Sequence, residues 1–243
     1  RMVKKTILIL MLTLASPFFV FAYNQKTTHP ALTQEIIRFF NQHYPQKFLN
    51  SDDAELIIQG SINEDDGVRW LHHFYDPIHN KGLVLEKKEF IANPNLAIIA
   101  NPRLTSKWAS AKDWGLGTEI QNGFLKSIET GTIQDYFSGF DDYSWDRAIY
   151  EYGWGDKKRG LATLGHILHL LEDMTVPEHT RNDPHPAELG DASPYEAWTE
   201  KFTRSKINIA SQLAREKPIL LADLNSYFDE IAGYSNNNFF SKD

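Results

Sequence analysis

The sequence predicts an all-α fold, and three observations carry that prediction. Apolar residues recur at three- and four-residue spacing in several stretches beyond residue 29. Ser193 stands as a cap ahead of one such stretch, with Pro194 and Glu196 behind it. No segment sustains the apolar–polar alternation of a half-buried strand series. With 243 residues, 42% of them hydrophobic, and neither an internal repeat nor a linker, the chain reads as one helical domain with a sizeable core.

Residues 1–22 stand apart from that domain. Lys4 and Lys5 precede an apolar run from Ile7 to Ala22 that closes on Val20-Phe21-Ala22, the layout of a secretory signal peptide. The run is shorter than the roughly 20 residues that span a bilayer, and Pro17 interrupts it. Cleavage after Ala22 is expected, with Tyr23 as the new N-terminus of a domain covering 23–243. The expected location is secreted or periplasmic.

Within that domain the elements follow in order. Pro30 to His43 places Leu32, Ile36, Ile37 and Phe40 at helical spacing, with proline at its start. Asp53 to Gln59 is a short second helix, with Gly60 as its stop. From Gly60 to Leu85 the composition turns to Asp, His, Gly and aromatics, which reads as a loop. Leu104 to Asp113 and Ile120 to Ser127 are candidate short helices. Ser144 opens a long helical stretch to about Thr175, with a break expected near Gly153–Gly155. Ser193 to Asn208 begins with serine at the cap, Pro194 at the first helical position and Glu196 at the third. Pro218 to Gly233 is the last helix. Residues 234–243 (YSNNNFFSKD) carry no stop signal and read either as a short tail that folds back or as a chain cut short, the second being favoured.

Composition narrows the function. There is no cysteine, so an exported chain has no disulfides to stiffen it, and bound metal is a candidate substitute. The formal charge is −7, and removing the basic leader makes the domain more acidic still. Such a charge disfavours broad electrostatic binding to nucleic acid or anionic membrane.

The stretch from Leu168 to Pro186, LHLLEDMTVPEHTRNDPHP, holds the densest chemistry. His169 and Asp173 are four apart and share a helix face. Pro177 then ends the helix, and His179 and His185 follow. Imidazole and carboxylate on one rigid face, with further imidazole from the next loop, suit a zinc site. A buried pair that merely hydrogen-bonds itself is the alternative, and His166 lies on the same face. Three other segments supply ligand types: Tyr23 to His29, whose freed α-amino group can ligate once deprotonated; Glu64-Asp65 with His72-His73; and His185, Asp191 and Glu196. Arg181 and Asn182 are candidates to orient loop ligands or touch phosphate. Trp70, Phe74 and Tyr75 read as core ahead of substrate cradle.

Taken in order, the blocks ED, HFYDP, LGHxLHxxxDxxxPxHxRND and YExW resemble the zinc-dependent phospholipase C family, whose fold is shared with the fungal zinc nucleases of single-stranded nucleic acid. The resemblance runs from Tyr23 to about Trp198. It implies an all-helical domain holding three zinc ions. By position, Asp65, His73, His169 and Asp173 would surround the first. His179 and Glu196, with a further imidazole, would hold the second. The α-amino and carbonyl of Tyr23, with His29 and a bridging Asp173, would hold the third. It also favours His73 over His72 and leaves His166 as a core or supporting residue. Two positions depart from the family pattern. Tyr23 stands for the usual Trp, and Ala192 stands where a histidine normally precedes the glutamate by four. His185 is the expected replacement, with Asp191 the alternative.

The implied activity is that of a zinc-dependent phosphoric diester hydrolase. The expected reaction is that of a phospholipase C, releasing diacylglycerol and a phosphorylated head group by attack of a zinc-bound hydroxide, with Asp65 assisting as general base. The expected partner is phospholipid or another phosphodiester, with peripheral membrane contact and no protein partner. The alternatives are a nuclease or 3′-nucleotidase on single-stranded nucleic acid, and a metal-stabilised exported binding protein without catalysis.

Overall fold

The computed structural model describes residues 23–66, 69–85, 106–117, 142–184 and 193–239. These are mostly helical: α1 (Thr28–His43), α2 (Ser51–Asn63), α3 (Ala111–Leu116), α4 (Trp145–Gly153), α5 (Lys157–Asp173), α6 (Pro177–Thr180), α7 (Pro194–Thr199), α8 (Ile209–Gln212) and α9 (Leu224–Asn237). Caps account for most of the starts. Asn50 accepts from the backbone N–H groups of Asp52 and Asp53, and the same two carboxylates favour the positive end of α2. Ser110, Ser144, Asp156, Ser193 and Asp223 do the same for α3, α4, α5, α7 and α9. The break expected near Gly153–Gly155 lies between α4 and α5.

Helix α5 is central. One side packs with Ile37 of α1 and Ile57 and Ile58 of α2 around Leu161. Its other side sets Leu170 and the following Met174 against Tyr75, Trp114 of α3, and Phe228 and Ala232 of α9. Burial of each such large apolar side chain contributes about 1.5–3 kcal/mol. A helix buried on two sides holds its remaining polar groups, among them His169 and Asp173, in a fixed, buried setting.

Several boundaries differ from expectation, for tertiary reasons. Gly60 does not stop α2 but lies inside it, where a Cβ would collide with the Ala162 carbonyl of α5; Gly165 meets the Ile57 carbonyl in the same way. The two glycines allow the close crossing. The stretch from 193 is helical only to Thr199, and the last helix runs Leu224–Asn237 in place of Pro218 to Gly233. Of the region expected as a helix from Leu104, the described part begins at Ser106 and turns helical at Ala111. Ahead of it, Ser106–Lys107 (β2) pairs antiparallel with Val84–Leu85 (β1). Two-residue strands are too short to show alternation, so the pattern hid them. Asn182, at φ 56°, extends the pair: its Oδ1 accepts from Val84 N at 2.7 Å and its Nδ2 donates to Val84 O at 3.2 Å.

The aromatics Trp70, Phe74 and Tyr75 are buried in the interior. Arg181 lies over the Phe239 ring and reaches the Asn236 carbonyl, so it ties α6 to the end of α9. Among the described residues no helix is long and apolar enough to cross a membrane. The expected leader 1–22, the segment Ile120 to Ser127, and His185, Asp191 and Ala192 lie outside the described residues.

Candidate metal centre

Helix α5 delivers His169 and Asp173 one turn apart, with His169 Nε2 3.4 Å from Asp173 Oδ2. The ring is held from behind: Nδ1 donates to the Ser61 carbonyl of α2 at 2.7 Å, which leaves Nε2 bare toward the acids. The first turn of α1 brings His29, whose Nε2 lies 3.4 Å from Asp173 Oδ1. Its Nδ1 bonds Glu172 Oε2 at 2.7 Å. The turn after α2 carries Asp65, whose Oδ1 is 3.6 Å from both His169 Nε2 and His73 Nδ1. His73 follows the 3-10 turn Arg69–His72, and its Nδ1 comes within 3.0 Å of Asp173 Oδ2 without the alignment of a hydrogen bond.

These side chains form two overlapping groups, His29–His169–Asp173 and Asp65–His73–His169. Within each group, one ligand atom per residue lies within 4.8 Å of the others. All five residues are buried. His29 Nε2, His169 Nε2, both nitrogens of His73 and both oxygens of Asp65 and Asp173 have no hydrogen-bond partner among the described residues. Leaving one buried polar group unsatisfied costs about 1–3 kcal/mol, and eight such atoms converging here could hold a cation.

The electrostatics agree. Burial pushes Asp65 up to about 7, despite the imidazoles of His169 and His73 beside it. Burial also works against the Asp173 carboxylate, but the same two imidazoles outweigh it and hold the group well below the usual range. For His73, burial disfavours the cation, yet Asp173 and the neighbouring acids lift it to about 10. His169 rises to about 8 on the same balance. The carboxylates create a strong field for positive charge here.

His179 of α6 and Glu196 of α7 adjoin this cluster. His179 Nδ1 donates to the His73 carbonyl at 2.8 Å, its ring stacks on Phe74, and its Nε2 lies 3.9 Å from Glu196 Oε1. Glu178 accepts from the Ser193 hydroxyl at 2.6 Å, which ties α7 to α6. Tyr23 is only 3% exposed, its ring edge-on to His29, its hydroxyl bonded to Thr175 and Tyr195. His72 stacks on Trp114 and bonds the Ala109 carbonyl, outside the cluster.

No family model, curated protein or solved structure matches the chain.

Sequence reasoning missed Glu172, and it grouped Glu64 with the ligand types without seeing its role. Glu172 is three residues after His169 on the same helix face, a spacing that was there to read. Glu64 is a buried hub: it accepts from Arg69 Nε at 2.8 Å, from His166 Nδ1 at 2.5 Å and from Trp114 Nε1 at 3.0 Å. Burial opposes its charge, but Arg69 and His166 hold its carboxyl well below the usual range. The hub joins the Asp65 turn to α5 one turn before His169.

Proposed function

We propose that this protein is a secreted or periplasmic zinc-dependent phosphodiesterase with the zinc phospholipase C and nuclease type of fold, acting as a phospholipase C. The observation that supports this reading is the convergence of Asp65, His73, His169 and Asp173. They come from sequence blocks far apart, and they bring buried ligand atoms that lack hydrogen-bond partners among the described residues. His29 extends that group, Tyr23 packs beside it, and His179 with Glu196 forms the neighbouring pair.

Asp65, His73, His169 and Asp173 would hold one ion. His29 and Asp173, with the freed α-amino group of Tyr23, would hold another, and His179 and Glu196 a third. Bound zinc activates water and neutralises charge on a phosphodiester. Asp65 would accept the proton from attacking water, and Asp173, with an oxygen toward each histidine group, would keep the two groups in register. The backbone carbonyls of Ser61 and His73 orient His169 and His179.

A nuclease reading has one observation in its favour. Trp198 is 52% exposed on α7, two residues past Glu196, and stacks beside Tyr195, a platform on which a base could rest. A paired assay separates the readings. The zinc-loaded protein is expected to cleave phosphatidylcholine. Cleavage of single-stranded DNA alone overturns the phospholipase, and hydrolysis of neither leaves a metal-stabilised binding protein.

A further inference from the structure

We infer that Glu172 is a positioning residue: it fixes the ring of His29 and strengthens Nε2 as a donor, so the ion at His29–His169–Asp173 depends on a carboxylate that does not touch it. The inference rests on the metal reading above and deepens it.

The oriented imidazoles of the centre are not alike. His169 and His179 each give their Nδ1 proton to a neutral backbone carbonyl, of Ser61 and His73. His29 Nδ1 instead meets a carboxyl group, Glu172 Oε2, at 2.7 Å. A carboxylate behind a ligating imidazole fixes the tautomer and raises the basicity of the far nitrogen more than a carbonyl can. The far nitrogen here is His29 Nε2, buried, 3.4 Å from Asp173 Oδ1 and without a hydrogen-bond partner among the described residues.

Glu172 is itself held still. Its second oxygen accepts from the Thr33 hydroxyl at 2.7 Å, and Thr33 lies one turn beyond His29 on α1. Both oxygens are therefore engaged by one helix, and Glu172, His29 and Thr33 are all buried. This geometry leaves neither oxygen of Glu172 for the metal. It makes the carboxylate a rigid clamp between α5 and α1, set on the one ligand that α1 supplies.

A purely structural role would make Glu172 no more than a pin between two helices. Glu172→Gln separates the cases, because glutamine keeps the volume and can still accept from His29 while the charge is lost. The full chain would be titrated with zinc against a chromophoric chelator, and cobalt(II) loading would report the ligand field by visible absorption. In E172Q one ion of those bound by wild type is expected to weaken about 10–100-fold, with the others unchanged and the cobalt bands shifted. Thr33→Val, which frees the clamp but keeps the charge, is expected to weaken the same ion by a smaller factor. It keeps the question answerable should E172Q fail to fold. Unchanged affinities and cobalt bands in the variants, or equal weakening of every ion, overturn the inference alone. Complete loss of one ion at saturating zinc also overturns it, by making Glu172 a ligand. A wild type that binds no zinc overturns the metal centre itself.

Discussion

The imidazoles of His29 and His169 lie face to face, with centroids 3.6 Å apart and planes 14° from parallel. One comes from the first turn of α1 and the other from the end of α5, and both present Nε2 to the same carboxylate, that of Asp173. Burial drives His29 well below its ordinary range, and His169 beside it adds to the effect. A neutral, rigid ring with one nitrogen already engaged is the form in which histidine ligates metal.

His169 belongs to both ligand groups, so its loss is expected to empty both. His169→Ala should reduce zinc per chain by more than any other single ligand substitution. His166→Ala, one turn earlier, should retain zinc while losing about 1–3 kcal/mol of stability, because it removes a donor from buried Glu64. Elemental analysis and thermal denaturation of the two variants check this, and equal zinc loss in both would refute the division.

Metal removal is expected to lower thermal stability. The converging atoms of the acids and imidazoles lack hydrogen-bond partners among the described residues, and a ligand that binds only the folded chain stabilises it by about 4 kcal/mol at a thousandfold excess over Kd. Calorimetry with zinc and with chelator should show a Tm that rises with free zinc. A Tm indifferent to zinc would show that nothing binds.

Gly60→Ala should damage fold and site together. The added methyl would press on the Ala162 carbonyl where α2 crosses α5, and overpacking of this kind costs about 1–3 kcal/mol. Because α2 carries the Ser61 carbonyl behind His169 and leads into Asp65, zinc affinity should fall as well. Gly233→Ala, whose Cβ would meet nothing within 4 Å among the described residues, serves as the comparison, and equal behaviour of the two variants would contradict the close-crossing account.

Asp76 gives a pH dependence whose sign can be stated. Burial works against its charge, but the His79 ring and the backbone N–H groups of His79 and Ile78 outweigh it and hold the carboxyl below its ordinary 3.8. The unfolded chain then binds the proton more readily than the folded one. The stabilisation is therefore full above that ordinary value and is lost as pH falls through the lower folded one. Asp76→Asn should flatten this acid limb, at a cost near neutral pH of about 1 kcal/mol or less, since His79 is largely exposed. Denaturant melts from pH 2 to 7 would reveal an unchanged acid limb if the account is wrong.

Much of the helical content was legible because its causes are local. Ser144 and Ser193, both read as helix starts, cap their helices within three residues. The four-residue step from His169 to Asp173 follows from helix geometry alone. The sequence by itself determined that the chain is mostly helical and which ligand types its stretches can present. It could not determine which of those ligands meet. Gly60 reads locally as a stop, and only contact with Ala162 shows why the helix continues through it. The pairing of Val84 with Lys107 and the docking of Glu172 behind His29 likewise join residues remote in the chain. Local propensity and capping act over about one helical turn, whereas these meetings depend on how closely whole helices pack; that spacing, and with it the shape of the site, only the tertiary structure decided.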